Sequence, residues 1–343
     1  MNGENNKQPS TISNVAQLSG VSNRTVSRVI NRSSKVGEAT REKVQRVIDE
    51  LSYRPNAQAR GLAGGRSYLL GLIYDNPDAL FIDEAQRGVL NVCRELGYEL
   101  VIHPCGETDT LSSEVVGSVK RSKLDGVIVL PPLSEDHDLF GALAQEKIPY
   151  VRLAAIALDT SDRVVVSNER SAVAEMAEYL VGLGHRRIGY ITGPAGRRST
   201  RERLEGFTDA LERLGCAVPE EMIAVGAYSF ESGIECARTL LANPEPPTAI
   251  FASNDLMAVG VIHAAQRRQR RVPEDVSVVG FDDIRLAAYI NPALTTVAQP
   301  KERLGQTATR LLLERIDNPD LPPRVVTLET ELVVRQSTAH VRA

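Results

Sequence analysis

The stretch that decides the fold is Thr11–Asn31, which runs TISNVAQLSGVSNRTVSRVIN. Apolar residues fall at Val15 and Leu18 and again within Val26–Ile30, which is helical spacing on either side of a break. The break, Ser19–Ser22, contains a glycine where the chain can turn sharply and ends on a serine that can cap the next helix. Two short helices joined in this way predict a helix-turn-helix, a motif whose second helix can enter the major groove of DNA.

The predicted second helix has one apolar face and one polar face. The polar face, which can hydrogen-bond to the edges of DNA bases, consists of Asn23, Arg24, Ser27 and Arg28. The alternative is an ordinary helical hairpin whose polar face only meets water. Helical spacing of apolar residues over Thr40–Leu51 favours DNA binding, because it predicts the third helix that such a head needs to close its core.

The net charge differs sharply between the first 66 residues and the rest of the chain. Residues 1–66 contain 11 Lys and Arg against 5 Asp and Glu, a net charge of +6. Since the whole chain carries −4, the remainder carries −10. Phosphate contacts supply most of the non-specific affinity for nucleic acid, so this asymmetry indicates a polyanionic partner for the N-terminal head alone.

Three segments in the order VSNRTVSRVIN, TRE and YRPNAQARGL closely resemble the lactose-repressor (LacI/GalR) family of bacterial regulators. The resemblance extends from Thr11 to Ser337. It implies a transcriptional repressor that binds a near-palindromic double-stranded DNA operator as a homodimer, with one recognition helix on each half. The residues expected to contact DNA are Thr11, Ser22, Asn23, Arg24, Thr25, Ser27, Arg28, Asn31, Asn56, Ala59 and Leu62.

A short hinge helix is predicted at about residues 55–63. Proline suits its first turn, but so short a helix is not stable by itself in water, and the alternative for the free protein is a flexible linker. The resemblance implies that the hinge folds on DNA, pairs with its dimer mate and inserts Leu62 into the minor groove. An apolar wedge between base steps unstacks and bends DNA, which exposes more surface for binding.

From Tyr68 onward, apolar runs alternate with amphipathic helical patterns, which predicts parallel strands covered by helices on both faces. The fold class is therefore an α/β core of two doubly wound parallel-sheet subdomains behind an all-α helix-turn-helix head. This is also the architecture of periplasmic sugar-binding proteins and of the resembled family. The predicted extents are 1–66 for the head, 67–343 for the core, 67–162 with 298–324 for most of lobe one, and 163–297 with 325–337 for most of lobe two.

Polar residues that follow predicted strands indicate a ligand cleft between the lobes. Asp75, Asn254 and Asp282 each come directly after an apolar run. Asn254 could instead cap a helix, and Asp282 could cap a turn. The resemblance adds Arg201 as the first arginine of R-x-R, although a solvated helix face is its alternative. With the aromatic Tyr228, the predicted effector-binding residues are Asp75, Phe81, Arg201, Tyr228, Asn254, Asp282 and Gln299.

Two classes of effector fit these residues. Arginine, carboxylate and amide groups around an aromatic ring suit a sugar or sugar derivative, because hydroxyl groups both donate and accept hydrogen bonds. The alternative is a purine or nucleoside, for which Phe81 would be a second aromatic across from Tyr228. The chain departs from the family at Ala154–Ala155, where an Asp-Arg pair is common. This departure leaves the first lobe's ligand contacts open.

Several other classes of protein are disfavoured. The chain contains no phosphate-binding loop, nucleophile elbow or H-E-x-x-H motif, so we expect no enzyme, no catalytic residue, no cofactor and no metal. A transport receptor is excluded by the head and by the polar N-terminus. Four widely spaced cysteines and the lack of an apolar 18-residue span favour a cytoplasmic, nucleoid-associated protein without membrane contact. No apolar heptads follow Val334, which favours a dimer over a tetramer.

Overall fold

The computed structural model describes residues 11–30, 35–51, 53, 66–75, 80–106, 108, 110–154 and 163–341. Some of the residues that are predicted to contact DNA are not in these ranges. The predicted hinge at about 55–63 lies outside the described residues, and so do Asn31, Asn56, Ala59 and Leu62. In the part of the chain that is described, no helix is long and apolar enough to cross a membrane.

Three helices form the N-terminal head: α1 (Ile12–Ser19), α2 (Asn23–Ile30) and α3 (Glu38–Glu50). Thr11 begins α1 with a capping box, because its N–H donates to Asn14 Oδ1 at 2.8 Å while its hydroxyl accepts from the Asn14 N–H. Gly20 ends α1 with a φ of 64°, a left-handed conformation that glycine adopts readily. Ser22 Oγ then accepts the N–H of Thr25 at 3.1 Å in the first turn of α2. The predicted helix-turn-helix, with its glycine and capping serine, is confirmed.

The core of the head is a cluster of small apolar side chains. Its buried members are Val15, Ala16, Val26, Val29, Val44 and Val47. Leu18, which the spacing placed on this face, is instead 62% exposed. Helix α1 turns Val15, Ala16 and Ser19 inward, and Leu18 falls beside that stripe.

Strands and helices alternate along the rest of the chain. The strands are β1 (Leu69–Tyr74), β2 (Glu99–Pro104), β3 (Gly126–Val129), β4 (Tyr150–Ala154), β5 (Val164–Ser167), β6 (Ile188–Thr192), β7 (Ile223–Val225), β8 (Ala249–Ala252), β9 (Ser277–Asp282), β10 (Thr295–Ala298), β11 (Val325–Leu328) and β12 (Glu331–Val333). The helices are α4 (Leu80–Leu96), α5 (Leu111–Ser122), α6 (His137–Gln145), α7 (Glu169–Gly182), α8 (Arg198–Arg213), α9 (Phe230–Leu240), α10 (Asp255–Arg267), α11 (Arg285–Tyr289) and α12 (Lys301–Asp317).

The strands form two six-stranded sheets, one in each lobe. The first has the order β11-β5-β4-β3-β1-β2 and the second β12-β10-β9-β8-β6-β7. Every neighbouring pair is parallel except β10 and β12. Central strands such as β1, LLGLIY, are buried almost throughout, as expected when helices cover both faces of a sheet. The predicted pair of doubly wound subdomains is confirmed.

The chain crosses between the lobes after β5, after β10 and after β11. Strand β5 pairs with both β4 and β11 in the first sheet. The predicted lobe boundaries at residues 163 and 325 are therefore wrong, and the crossings follow Ser167 and Leu328. A short apolar run such as VVVS predicts a buried strand, but the sheet that it joins depends on tertiary pairing, which the pattern does not contain.

Helices α4 and α12 pack together at very short range on the first lobe. A Cβ on Gly88 would lie 2.0 Å from the carbonyl oxygen of Glu302, and one on Gly305 would lie 2.1 Å from that of Ala85. Only glycine permits this approach of two helix backbones. The two helices therefore form one tightly packed pair.

Candidate functional site

The polar face of α2 is directed outward from the head. Among the predicted DNA-binding residues that the structure describes, Thr11, Ser22, Asn23 and Arg24 are exposed, and Thr25, Ser27 and Arg28 are partly exposed. Val26 and Val29 on the opposite face are buried in the core. Asn23 Nδ2 also donates to Ser13 Oγ of α1 at 3.2 Å, which fixes the two helices relative to one another. The surface thus presents amide, hydroxyl and guanidinium groups suited to base edges and phosphates.

A cleft of about 650 Å³ lies between the two lobes. Its volume is in the range of small-molecule sites. Six of the seven predicted effector-binding residues line it: Asp75, Phe81, Tyr228, Asn254, Asp282 and Gln299. The cleft wall also includes Ser167, Glu169 and Arg203, which are not among the predicted residues.

Arg203 and Arg197 line the cleft, and Arg201 does not. Arg201 lies on the exposed face of α8 and is not among the residues that line the cleft. Arg203 is 6% exposed and lies on the same helix face as Phe207 and Ala210. That apolar stripe at i, i+4 and i+7 is the sequence feature that distinguishes the two arginines, because it marks the face that is directed inward.

Glu169 and an aromatic ring hold the Arg203 side chain. Arg203 Nε and Nη2 donate to the two carboxylate oxygens of Glu169 at 2.7 and 3.1 Å, and Nη1 donates to the carbonyl of Ser253 at 2.6 Å. The guanidinium carbon lies 3.8 Å from the centre of the Phe281 ring. Burial alone would lower the pKa of Arg203, but Glu169, Tyr228 and Asp282 offset this and raise it above its usual value. The guanidinium is therefore a fixed positive charge.

Asp282 faces this charge from the end of β9. Its Oδ1 lies 3.9 Å from Arg203 Nη2 and accepts a hydrogen bond from Gln299 Nε2 at 2.8 Å. Its φ of 107° is rare for a residue with a side chain and is typical of strained functional sites. Burial raises the pKa of Asp282 despite the opposing effects of Arg203, Lys301 and Gln299.

Gln299 and Asn168 connect the three crossover segments. Ser167 Oγ donates to Gln299 Oε1 at 3.0 Å, so the Gln299 amide joins the first crossover to Asp282. Asn168 Oδ1 accepts both the N–H and the hydroxyl of Thr330, at 2.8 and 2.9 Å, in the third crossover. Gln299 was predicted as a ligand contact. In the structure its amide also donates a hydrogen bond to the Asp282 carboxylate, beside the segments that cross between the lobes.

Tyr228 lies on the second lobe in a tightly defined setting. Its φ is 59°, and its hydroxyl lies 2.9 Å from Thr200 Oγ1. A Cβ on Gly193 would lie 2.1 Å from the Tyr228 ring, so the ring packs directly on the glycine backbone. Asn254 caps α10 by accepting the N–H of Met257 at 2.9 Å, and its Nδ2 donates to the Tyr228 carbonyl at 3.0 Å. Asn254 therefore caps a helix, as the alternative interpretation predicts, and it also lines the cleft.

The first lobe contributes a mainly apolar wall. Phe81 and Leu80 lie in the first turn of α4, and Leu153 and Val165 come from β4 and β5. Asp75, which follows β1, is the acidic group that this lobe supplies among the described lining residues. The aromatic rings of Phe81 and Tyr228 therefore belong to opposite lobes.

No cysteine is among the described residues that line the cleft. All four cysteines are described, and each is buried and unpaired. The residues that the structure describes contain no group of three or more His, Cys, Asp or Glu that could hold a metal ion.

Comparison with known proteins identifies both parts of the molecule. Residues 11–56 match the model for bacterial regulatory proteins of the lacI family, and residues 177–338 match the periplasmic binding protein-like domain. The ribose operon repressor of Escherichia coli (strain K12) is 35% identical over 329 residues, which are 95% of this chain and 99% of that protein. The HTH-type transcriptional repressor PurR of Proteus mirabilis (strain HI4320) is 38% identical over 333 residues, covering 96% and 97% of the two chains.

A solved structure has the same architecture throughout. The Lac repressor dimer bound to operator and the anti-inducer ONPF is 30% identical and superposes with a TM-score of 0.78, covering 97% of this chain and 100% of that one. The head, the two lobes and their order along the sequence are thus similar to those of the Lac repressor. The chain belongs to the lacI family of bacterial regulatory proteins and is a ligand-responsive, DNA-binding transcriptional regulator.

Proposed function

We propose that this regulator is a repressor whose operator affinity is controlled by a sugar or sugar derivative in the interlobe cleft. The observation that carries the proposal is the pairing of Arg203 and Asp282 beside the ring of Tyr228. The guanidinium donates and the carboxylate accepts, which matches hydroxyl groups that do both. The ring offers an apolar surface to the C–H face of a sugar. Similarity to a ribose operon repressor supports the same effector class.

A purine or nucleoside is the second candidate effector. Phe81 and Tyr228 line the cleft from opposite lobes, so a flat base can lie between their two rings. The apolar wall around Leu80 and Leu153 also suits a base better than a ring of hydroxyls. Binding of a sugar depends chiefly on the polar residues of the second lobe, whereas binding of a nucleobase depends on Phe81 of the first lobe as well.

The head and hinge supply the DNA contacts in this proposal. Two copies of the chain are needed, because each α2 contacts one half of a near-palindromic operator. The similarity to a Lac repressor dimer bound to operator supports this arrangement. Leu62 of the hinge is proposed as the wedge at the centre of the operator. The proposal assigns no catalytic residue.

Helix α12 provides a route from the cleft to the head. At its first residue, Lys301 Nζ donates to the carbonyl oxygens of Asp282 and Asp283. At its last residue, Asp317 Oδ1 accepts from Arg66 Nη1 at 2.5 Å, and Arg66 is the first described residue after the hinge. We infer that α12, locked to α4 by Gly88 and Gly305, carries a change of lobe angle to the hinge as one rigid body.

A thermal-shift screen of the full chain against sugars, nucleosides and purine bases tests the effector class. An effector that binds the folded state and not the unfolded chain raises the unfolding temperature, by an amount that grows with the logarithm of one plus the ratio of effector concentration to Kd. We expect a sugar to stabilise the parent, and Phe81→Ala to retain most of that stabilisation. Stabilisation by a nucleoside alone, lost in Phe81→Ala, would establish the second candidate. Stabilisation that persists in Asp282→Asn would contradict the proposed site.

A further inference from the structure

A contact between the lobes spans the edge of the cleft, away from the crossovers. Glu135 ends a short 3-10 turn (Leu133–Glu135) after β3 in the first lobe, and Arg198 begins α8 in the second. Glu135 Oε2 accepts a hydrogen bond from the backbone N–H of Arg198 at 3.0 Å. Arg198 Nη2 also lies 3.4 Å from His137 Nε2. Gln299 and Asn168 belong to segments that join the lobes covalently, whereas the Glu135 contact requires the lobes to be close together.

Helix α8 has no side-chain cap from its own N-terminal residues. Its N-cap residue, Arg197, makes no side-chain hydrogen bond to the first turn. In the same lobe, Ser229 caps α9 and Asn254 caps α10 with their own side chains. The first N–H groups of a helix lack partners within the helix and carry partial positive charge. Glu135 supplies the missing acceptor, and a negative charge, from the opposite lobe.

We propose that Glu135 is a latch that holds the cleft closed by capping α8 across the lobes. Opening separates the carboxylate from the N–H group, and both return to water. A hydrogen bond to an ionised acceptor is stronger than a neutral one, but water competes for it at a partly exposed edge. The latch therefore biases the angle between the lobes without fixing it.

The latch sets the ratio of closed to open molecules that exists before an effector binds. A ligand shifts a conformational equilibrium only by its differential affinity for the two states, so the starting populations determine how much of that affinity is needed. Pro132 and Ser199, which flank the contact, line the cleft. The inference concerns the free protein and does not depend on the identity of the effector.

Substitutions at Arg198 separate its backbone from its side chain. Arg198 occupies the first position of α8, where proline is well tolerated, and Arg197 has an extended backbone (φ −78°, ψ 135°) that suits a residue before proline. Arg198→Pro therefore removes the N–H donor while leaving the helix intact. Arg198→Ala keeps the N–H and removes only the side chain. Glu135→Ala removes the acceptor, and Glu146→Ala, an exposed glutamate paired with Lys120, is the matched control.

The measurement is the distance between the lobes in the ligand-free full-length protein, by pulsed electron spin resonance. Spin labels at Ala144→Cys on α6 and Glu212→Cys on α8 occupy exposed positions, and the four native cysteines are buried. We expect Glu135→Ala and Arg198→Pro to shift the distribution to longer distances, and Arg198→Ala and Glu146→Ala to match the parent. The latch is overturned if Glu135→Ala matches the parent, or if Arg198→Ala opens the cleft as far as Arg198→Pro.

Discussion

Glu169 and Arg203 form a bidentate ion pair in which both side chains are almost fully buried, at 5% and 8% exposure. The pair joins the first turn of α7 to α8, directly after the first segment that crosses between the lobes. Removing one member of such a pair leaves an uncompensated buried charge and typically costs about 3–5 kcal/mol. The orientation of the guanidinium toward Asp282 is therefore strongly determined by Glu169 and by the Phe281 ring beneath it.

Arg203→Lys should weaken effector binding by at least about tenfold, a loss of about 1.4 kcal/mol. Lysine keeps the positive charge but lacks the planar fork that contacts both oxygens of Glu169. Arg201→Lys is the control on the exposed face of the same helix and should bind as the parent does. Calorimetric titration with the effector from the thermal screen measures both affinities. Equal loss of affinity in the two variants would mean that Arg203 contributes no more to effector binding than the exposed Arg201 does.

Gly193→Ala should displace the Tyr228 ring from the cleft wall. The new methyl group would lie 2.1 Å from the ring and 2.6 Å from Thr200 Oγ1, so the Thr200–Tyr228 hydrogen bond cannot persist unchanged. Overpacking of this kind typically costs about 1–3 kcal/mol. We expect weaker effector binding and a lower unfolding temperature. Gly182→Ala, with open space around its Cβ, is the matched control and should lower neither.

The sequence predicts the elements and the position of the cleft because both follow from local rules. Apolar runs mark buried strands, and parallel strands bring the residues after them to one edge of each sheet. Asp75, Asn254 and Asp282 line the cleft for this reason. Asn254 also shows that a cap and a cleft residue can be the same side chain.

The remaining features depend on tertiary contacts that the sequence does not encode locally. Assignment of β5 to the first sheet requires its pairing with β4 and β11. No local pattern predicts Glu169 as a cleft residue, because its partner, Arg203, is 34 residues away in the chain. Resemblance to the R-x-R motif indicates Arg201, although the apolar stripe with Phe207 on α8 favours Arg203.

Arg28→Ala should reduce operator affinity by about 1–3 kcal/mol and relax the preference at one base pair. Arg28 lies on the polar face of α2, where an arginine can contact guanine in the major groove. Operator sites obtained by in vitro selection, with single-base variants, provide the measurement by gel shift at fixed salt. Equal weakening on every sequence would instead identify Arg28 as a phosphate contact.

Asp317→Ala should reduce the effect of the effector on operator affinity severalfold. The substitution removes the ion pair between α12 and Arg66 and leaves the hydrogen bond from Arg66 Nη2 to the carbonyl of Ile316, at 3.0 Å, so it weakens the proposed route to the hinge. An exposed ion pair contributes little to stability, so the unfolding temperature should change little. Arg310→Ala serves as the control, because it breaks an exposed ion pair between Arg310 of α12 and Glu95 of α4. Operator affinity is measured with and without effector, and equal responses in the two variants would argue against the route.

Asp255→Asn should change how the stability of the core depends on pH. Asp255 is fully buried and accepts hydrogen bonds from the Ile284 N–H and the Thr296 hydroxyl, at 2.8 and 2.5 Å. Burial, followed by the nearby charge of Asp282, raises its pKa well above the ordinary value for aspartate.

The sign of the effect follows from proton binding. Between the ordinary carboxyl pKa and the raised one, the folded state holds a proton that the unfolded chain has released. The free energy of unfolding therefore falls as pH rises through this window, with a limiting slope of about 1.4 kcal/mol per pH unit for one group. Asparagine does not titrate, so this part of the slope disappears. The stability of Asp255→Asn relative to the parent should rise as pH increases from about 4 toward neutrality.

Denaturant unfolding at a series of pH values measures this difference. Asp138→Asn, at an exposed position on α6, is the control. The expected result is a difference that grows with pH for Asp255→Asn and remains small for Asp138→Asn. A pH-independent difference for Asp255→Asn would mean that the Asp255 carboxyl has the same proton affinity in the folded and unfolded chains. In that case the Ile284 and Thr296 hydrogen bonds would compensate for its burial.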